Sequence, residues 1–275
     1  MPELPEVETT KQGIAPYLID QRICEVVVRN PRLRIPIPGD FKKMCEGKLI
    51  TKLSRRAKYI LIYLNEGYVL IHLGMSGHLR IVQTNALANK HDHVDFKLND
   101  GTVLRYCDPR RFGMIVYVES DPFNHPLLTH LGPEPLSQDF NSDYLMQKIQ
   151  KKSKPIKAFI MDSQIVVGVG NIYASESLFL AKIHPATPAK NLNQEMADLL
   201  VSQIKTVLEQ AIQRGGTTLR DFYGSDGKPG YFYLSLNVYG RKNKSCYQCN
   251  TPIDSITIGG RQSAFCPSCQ VLTNK

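Results

Sequence analysis

The sequence predicts an α+β, multi-domain chain: an N-terminal β-sandwich with flanking helices, then a helical segment, then a C-terminal four-cysteine zinc ribbon. Three observations carry this reading. Between about residues 20 and 118 apolar residues alternate with polar ones or form short runs; beyond about residue 140 they recur at helical spacing. Four of the seven cysteines crowd into the last thirty residues.

The chain opens Met1-Pro2-Glu3-Leu4-Pro5-Glu6. Pro5 suits the first turn of a helix, and Val7, Ile14 and Leu18 then recur at roughly helical spacing, which predicts a helix over 5–18. Strands follow at 23–28, 49–53, 59–64, 68–73, 94–98, 103–106 and 114–118. Asn65-Glu66-Gly67 turns one strand pair and Asn99-Asp100-Gly101 another. Seven strands with short turns make a two-layer sandwich. Pro122, Pro126, Pro133 and Pro135 mark the crossing out of it, so domains are expected at 1–130, 131–235 and 236–275. In the second, helices are expected at 144–150, 156–161, 171–181 and 192–212, the last closed by Gly215-Gly216. Residues 217–231, rich in Gly, Ser and Asp, read as a loop.

A 275-residue chain that is 42% hydrophobic is long and apolar enough to bury a core, which excludes global disorder. No apolar run is long enough to span a membrane, and the acidic, proline-broken start is unlike a secretory signal. The odd cysteine count, clustered at one end, argues for metal ligation in a reducing, cytoplasmic setting and against a disulfide framework. The net charge of +9 is uneven: residues 1–150 carry 19 basic against 17 acidic side chains, residues 151–275 carry 15 against 8. Such a basic half points to a polyanion, most simply nucleic acid.

Cys246-Tyr247-Gln248-Cys249 and Cys266-Pro267-Ser268-Cys269 are two CxxC pairs 16 residues apart, the spacing of a tetrahedral zinc site. Four protein thiolates leave no open coordination position, so one structural Zn²⁺ is expected. Gly259-Gly260 between the pairs suggests a hairpin with Arg261 at its turn. At the other end, removal of Met1 would leave Pro2 as a secondary amine. An α-amino group has a pKa of ~7.7–8.0, so a neutral fraction exists at neutral pH. Attack on an aldehyde-level carbon gives an iminium, an electron sink that acidifies adjacent C–H bonds.

These residues, with Met1-Pro2-Glu3-Leu4-Pro5-Glu6-Val7-Glu8-Thr9, His72-Leu73-Gly74-Met75-Ser76-Gly77, Asp108-Pro109-Arg110-Arg111-Phe112-Gly113 and Gly168-Val169-Gly170-Asn171-Ile172-Tyr173-Ala174-Ser175-Glu176, resemble the formamidopyrimidine-DNA glycosylase family along the whole chain. The resemblance implies a β-sandwich, a helix–two-turn–helix domain and a zinc ribbon, with DNA in the cleft between. It implies a monomeric bacterial enzyme that acts on double-stranded DNA holding an oxidised purine or an abasic site.

Carried onto matching positions, the resemblance makes Pro2 the nucleophile at C1′ and Glu3 the acid at the sugar and base. Lys58 acts in β-elimination and touches a phosphate. The sequence supports it: the 59–64 strand pairs with one ending near His72, so Lys58 and His72 emerge at the same end of that hairpin. Met75, Arg110 and Phe112 correspond to the side chains that fill the space left by an extruded base, Phe112 as wedge and Arg110 facing the orphaned cytosine. Asn171, at a helix start, joins His72, Lys58 and Arg261 in clamping phosphates. Arg261 also assists δ-elimination, and His91 and Lys152 are secondary DNA contacts. The 217–231 loop corresponds to the segment that covers the lesion. Two alternatives stand beside this reading: an endonuclease VIII-like glycosylase for oxidised pyrimidines, and a non-catalytic zinc-ribbon DNA-binding protein.

Overall fold

Helix α1 (Leu4–Leu18) opens the fold, with Pro5 in the first turn, where a missing N–H leaves no hydrogen bond unmade. Its Val7, Ile14 and Leu18 are fully buried. The computed structural model describes residues 2–217 and 236–272, which divide into two units: 2–129 with 214–217, and 130–213 with 236–272.

The first unit carries eight strands: β1 (Ile23–Val28), β2 (Ile50–Arg56), β3 (Tyr59–Leu64), β4 (Tyr68–His72), β5 (His78–Gln83), β6 (Asp92–Leu98), β7 (Thr102–Cys107) and β8 (Met114–Val118). A short helix α2 (Phe41–Cys45) sits between β1 and β2. The strands form two four-stranded antiparallel sheets, β1-β6-β7-β5 and β2-β3-β4-β8. One core takes Val26, Phe96 and Leu104 from the first sheet and Ile60, Val69 and Ile71 from the second, and α1 packs against strands of both. This is the expected sandwich with one strand more than the sequence suggested. The addition, β5, is an edge strand paired with β7 alone, and only its Leu79 is buried, so its alternation is faint. Both expected turns are present, with Gly67 at φ +79° and Gly101 at φ +85°. Asp100 stabilises its turn by accepting from Thr102 N at 2.8 Å.

The β1-β6-β7-β5 sheet carries a charge network built on the buried Asp92, Asp95 and Arg105, with the half-exposed Arg29 and Arg80 at its rim. Arg105 donates to both oxygens of Asp95, Nε at 2.9 Å and Nη2 at 2.8 Å, and Arg29 reaches Asp95 at 2.6 Å. Burial pushes the Asp95 carboxyl up, but Arg105 and Arg29 outweigh it and hold it below the usual carboxylate range. Arg80 meets Asp92 at 2.6 Å. The Arg105 guanidinium also donates to the carbonyls of Ala86 and Leu87, which fastens the loop between β5 and β6.

The second unit holds α3 (Ser142–Ile149), α4 (Ile156–Ile160), α5 (Asn171–Leu180) and α6 (Gln194–Gln213), each within two residues of its expected ends. Asn141 caps α3 by accepting from Tyr144 N at 2.9 Å. Ile160, Tyr173, Leu178, Leu200 and Ile204 form a core separate from that of the sandwich. The hairpin β9 (Asp254–Ile258) and β10 (Arg261–Phe265) follows, turned by Gly259 and Gly260 at φ +56° and +72°. Phe179 of α5 packs with Val238, Ile253 and Ala264 of the cysteine module. Of the loop expected over 217–231, only Thr217 lies among the described residues. No described helix is long and apolar enough to cross a membrane.

Candidate functional site

Pro2 and Glu3 lie at the entry to α1, both buried, with Glu3 as the helix cap. The Glu3 N–H donates to Glu6 Oε2 at 2.8 Å in a capping box. Glu6 Oε1 accepts the Thr217 N–H at 2.8 Å, and the preceding Gly216, at φ +82°, lies so close that a Cβ there would sit 3.0 Å from that oxygen. The backbone of Glu3 is therefore held by the Glu6 carboxylate, which is itself tied to Thr217. Met1 lies outside the described residues.

Lys58 occupies the two-residue turn between β2 and β3, where Ala57 takes φ +54°, directly before the strand. Tyr59 pairs with His72 across β3 and β4, their rings 4.9 Å apart, and Lys58 is thereby delivered beside His72 as the hairpin register requires. Burial, then the charges of Lys58 and Arg34, pull the His72 pKa down to about 4. Its Nδ1 accepts the Gly74 N–H at 3.0 Å, which leaves the proton on Nε2. A neutral histidine in this tautomer is a hydrogen-bond donor suited to an anion's oxygen.

Three candidate DNA-probing side chains sit on two loops of the same unit. Met75 is 38% exposed and Phe112 45%, and the Arg110 guanidinium lies 4.8 Å over the Phe112 ring. The loops touch through glycine, since a Cβ on Gly74 would fall 2.5 Å from the Phe112 carbonyl carbon; Gly113 in turn packs on β7, where its Cβ would fall 1.8 Å from the Tyr106 hydroxyl. His91 is half-buried, its ring 6.3 Å from that of His93.

In the second unit, Asn171 is the first residue of α5 and Arg261 the exposed first residue of β10, beside the Gly259-Gly260 turn. Asn171 Nδ2 donates to Gln262 O at 3.1 Å, and its Oδ1 accepts from Lys157 Nζ at 2.6 Å. Lys157 is 1% exposed and also donates to Ser263 Oγ at 2.8 Å, so it ties the start of α5 to the strand that begins with Arg261. A cavity of about 120 Å³ opens here, lined by Asn171, Tyr239, Gly240, Lys242, Gln262 and Ala264. Lys152, exposed after α3, lines no part of it.

Cys246, Cys249, Cys266 and Cys269 bring their sulfurs within 4.8 Å of one another, a group able to hold a metal ion. Neighbouring sulfurs lie 3.4 to 3.9 Å apart, against ~3.8 Å for thiolates at the corners of a tetrahedron with ~2.3 Å metal–sulfur bonds. Each CxxC pair adds an N–H to sulfur contact at 3.4 Å, Gln248 to Cys246 and Cys269 to Cys266.

Sequence reasoning missed the buried polar residues that hold these elements. Besides Lys157 and Glu6, Glu176 on α5 accepts the backbone N–H groups of Asn237 at 2.7 Å and of Val238 and Tyr239 at 2.9 Å. Their signal was a charged residue inside an apolar helical run, as at Ile156-Lys157-Ala158-Phe159.

Residues 1–115 match the family model of the formamidopyrimidine-DNA glycosylase N-terminal domain, and residues 131–223 that of its H2TH domain. The formamidopyrimidine-DNA glycosylase of Legionella pneumophila strain Philadelphia 1 is 62% identical over 270 residues, 98% of each chain. That of Pasteurella multocida strain Pm70 is 54% identical over 271 residues, 98% of this chain and 99% of its own. Among solved structures, a mutant Lactococcus lactis Fpg bound to Fapy-dG-containing DNA superposes with a TM-score of 0.92 at 34% identity, covering 98% of this chain and 100% of its own. The L. lactis enzyme with abasic-site DNA also gives 0.92 at 34%, over 98% and 99% of the two chains. The MutM (Fpg) protein of Thermus thermophilus gives 0.88 at 36%, over 99% and 100%.

Proposed function

Because the chain belongs to the formamidopyrimidine-DNA glycosylase family, we propose that it is a base-excision-repair enzyme, a DNA glycosylase and abasic-site lyase for oxidised purines. The observation that carries this is the match over 98% of the chain to a relative of the same activity, with the Pro2-Glu3 start intact. The L. lactis complexes with Fapy-dG and abasic-site DNA support the substrate, formamidopyrimidines and by the same chemistry 8-oxoguanine.

In this reading Met1 is removed and the Pro2 nitrogen attacks C1′ of the damaged nucleotide while the C1′–N bond to the base breaks. Glu3 supplies a proton at the sugar or the departing base. Loss of the amine proton and opening of the ring give an iminium, and removal of a C2′ proton expels the 3′ phosphate (β-elimination). A second elimination expels the 5′ phosphate. Lys58 and His72, adjacent at one hairpin end, serve the first elimination and its phosphate; Arg261 with Asn171 holds the flanking phosphate and assists the second. Met75, Arg110 and Phe112 occupy the space the base leaves, and the exposure of Met75 and Phe112 supports this. His91 and Lys152 are further DNA contacts.

We assign the metal as one Zn²⁺ on Cys246, Cys249, Cys266 and Cys269, supported by the sulfur spacing and the all-thiolate donor set. When bound it supplies structure only, since four protein ligands leave no position for water. The domains are read as 1–130, 131–235 with the lesion loop 217–231, and 236–275; the division between residues 129 and 130 supports the first of these bounds. Cysteines without disulfides among the described residues support a cytoplasmic setting, and one copy carries every proposed residue, as a monomer requires.

The test is a panel of duplexes, each with one 8-oxoguanine, Fapy-dG or oxidised pyrimidine, treated with enzyme and borohydride. We expect excision and a reducible covalent adduct with the purine lesions. Preference for oxidised pyrimidines would favour an endonuclease VIII-like enzyme, and binding without excision a non-catalytic DNA-binding protein.

A further inference from the structure

Beneath Met75, Arg110 and Phe112 lies one fully buried carboxylate, Asp108. Its Oδ1 accepts the Ser76 hydroxyl at 2.7 Å; its Oδ2 accepts the Tyr106 hydroxyl at 3.0 Å and the Gly113 N–H at 2.9 Å. The Ser76 oxygen, having donated to Asp108, accepts the Arg110 N–H at 3.1 Å. The Asp108 main chain reaches further: its N–H donates to His91 O at 3.0 Å, and its carbonyl takes His93 Nε2 at 2.8 Å. One residue thus touches the loop that carries Met75, the loop that carries Arg110 and Phe112, and the segment at His91.

We infer that Asp108 is a positioning residue for DNA readout: through Ser76 and Gly113 its carboxylate fixes the two probing loops against each other and so sets the selectivity for the opposite base. The inference rests on the proposed role of Arg110 and Phe112 in filling the vacated base position. A carboxylate only accepts, and here Ser76, Tyr106 and Gly113 all donate to its two oxygens, so the arrangement has a single hydrogen-bond sense. The loops also have no room to slide, because Gly74 lies so close to Phe112 and Gly113 that the contact would not admit even a methyl group. Arg111 takes φ +57° between the two probing residues, a conformation that persists only when its surroundings hold it. Loops ordered before DNA arrives avoid the entropy cost of ordering on binding, and a wedge displaced by an ångström loses its effect.

The experiment compares Asp108→Asn and Ser76→Ala with Arg110→Ala and Phe112→Ala. Asn keeps the volume of Asp108 but turns an NH₂ donor toward groups that already donate. Three measurements are made: single-turnover excision of 8-oxoguanine opposite cytosine and opposite adenine, fluorescence of a 2-aminopurine stacked beside the lesion, and borohydride trapping on a single-stranded abasic oligonucleotide. The single strand has no opposite base and no stack to fill. We expect Asp108→Asn to lose about tenfold to a hundredfold in excision opposite cytosine, with a lower cytosine-to-adenine ratio and a weaker 2-aminopurine response. Trapping should stay within about twofold, since Pro2 chemistry needs neither loop. Ser76→Ala should move the ratio the same way and less far.

Trapping that falls in step with excision would mean general destabilisation and overturn the inference. So would an unchanged ratio in Asp108→Asn and Ser76→Ala while Arg110→Ala shifts it. If Arg110→Ala and Phe112→Ala leave ratio and fluorescence unchanged, the reading of the loops has failed and the inference falls with it.

Discussion

The Glu3 N–H donates to the Glu6 carboxylate at 2.8 Å, and the other Glu6 oxygen accepts Thr217 N at the same 2.8 Å. One buried carboxyl group therefore fixes the helix cap and a residue more than two hundred positions away. Glu6→Gln keeps the length but turns an NH₂ toward one of these donors. Urea unfolding should show a loss of about 1–3 kcal/mol, the cost of an unsatisfied buried donor. A wild-type midpoint would show that Glu6 does not bear this linkage.

Glu3→Gln should bind lesion duplexes like the wild type yet lose about a hundredfold or more in single-turnover excision, because the amide keeps volume and removes the transferable proton. Near-normal excision would take the acid role away from Glu3.

His72 gives a pH prediction. Its folded pKa is about 4 against an ordinary 6.5. As pH falls through 6.5 the unfolded chain takes up a proton and the folded chain does not until about 4. The histidine therefore costs nothing above that window and destabilises within it, by at most about 1.4 kcal/mol per pH unit. The urea midpoint of wild type should drop between pH 7 and pH 5 by more than that of His72→Gln. Equal drops would assign the sensitivity to other groups.

Arg105→Ala should cost about 3–5 kcal/mol, since it strands Asp95, whose side chain is 1% exposed, with only part of its compensation. The loop held through Ala86 and Leu87 should open as well, visible as faster amide exchange near His91. Unfolding and exchange like the wild type's would refute the network's role.

Cys266→Ser should lose the metal and with it lesion affinity, by about tenfold or more, while β3 and β7 keep their amide protection. The sandwich has its own core, whereas the cysteine module packs on Phe179 and, with the zinc assigned above, would owe the rest of its order to the metal. Full metal content in the variant, or undiminished affinity, would contradict this.

Much of the fold was legible because its signals are local. Asp100 and Gly101 announce a turn through their own backbone chemistry, and the strand carrying Tyr59 announces itself through an apolar run. The strand at His78 was missed because an edge strand has less to bury, and α2 because only Phe41 and Cys45 of its five residues are buried, against four of five in α4. At the candidate site the motif residues could be named, and the Lys58–His72 proximity followed from register. Lys157, Asp108 and Glu176 did not follow from register: a charged residue in an apolar run, as at Lys157, hints at burial, but the partners that satisfy it lie far along the chain and the local sequence does not name them.

The Arg29, Asp95, Arg105, Asp92 and Arg80 network has a consequence for heating. The hydration that charged groups give up on burial becomes less favourable as temperature rises, so the penalty for enclosing Asp92, Asp95 and Arg105 shrinks while the attraction among the five persists. The β1-β6-β7-β5 sheet should therefore be among the last parts of the molecule to melt, and the loop it secures at Ala86 and Leu87 should stay ordered on a warming protein after less charged surfaces have loosened.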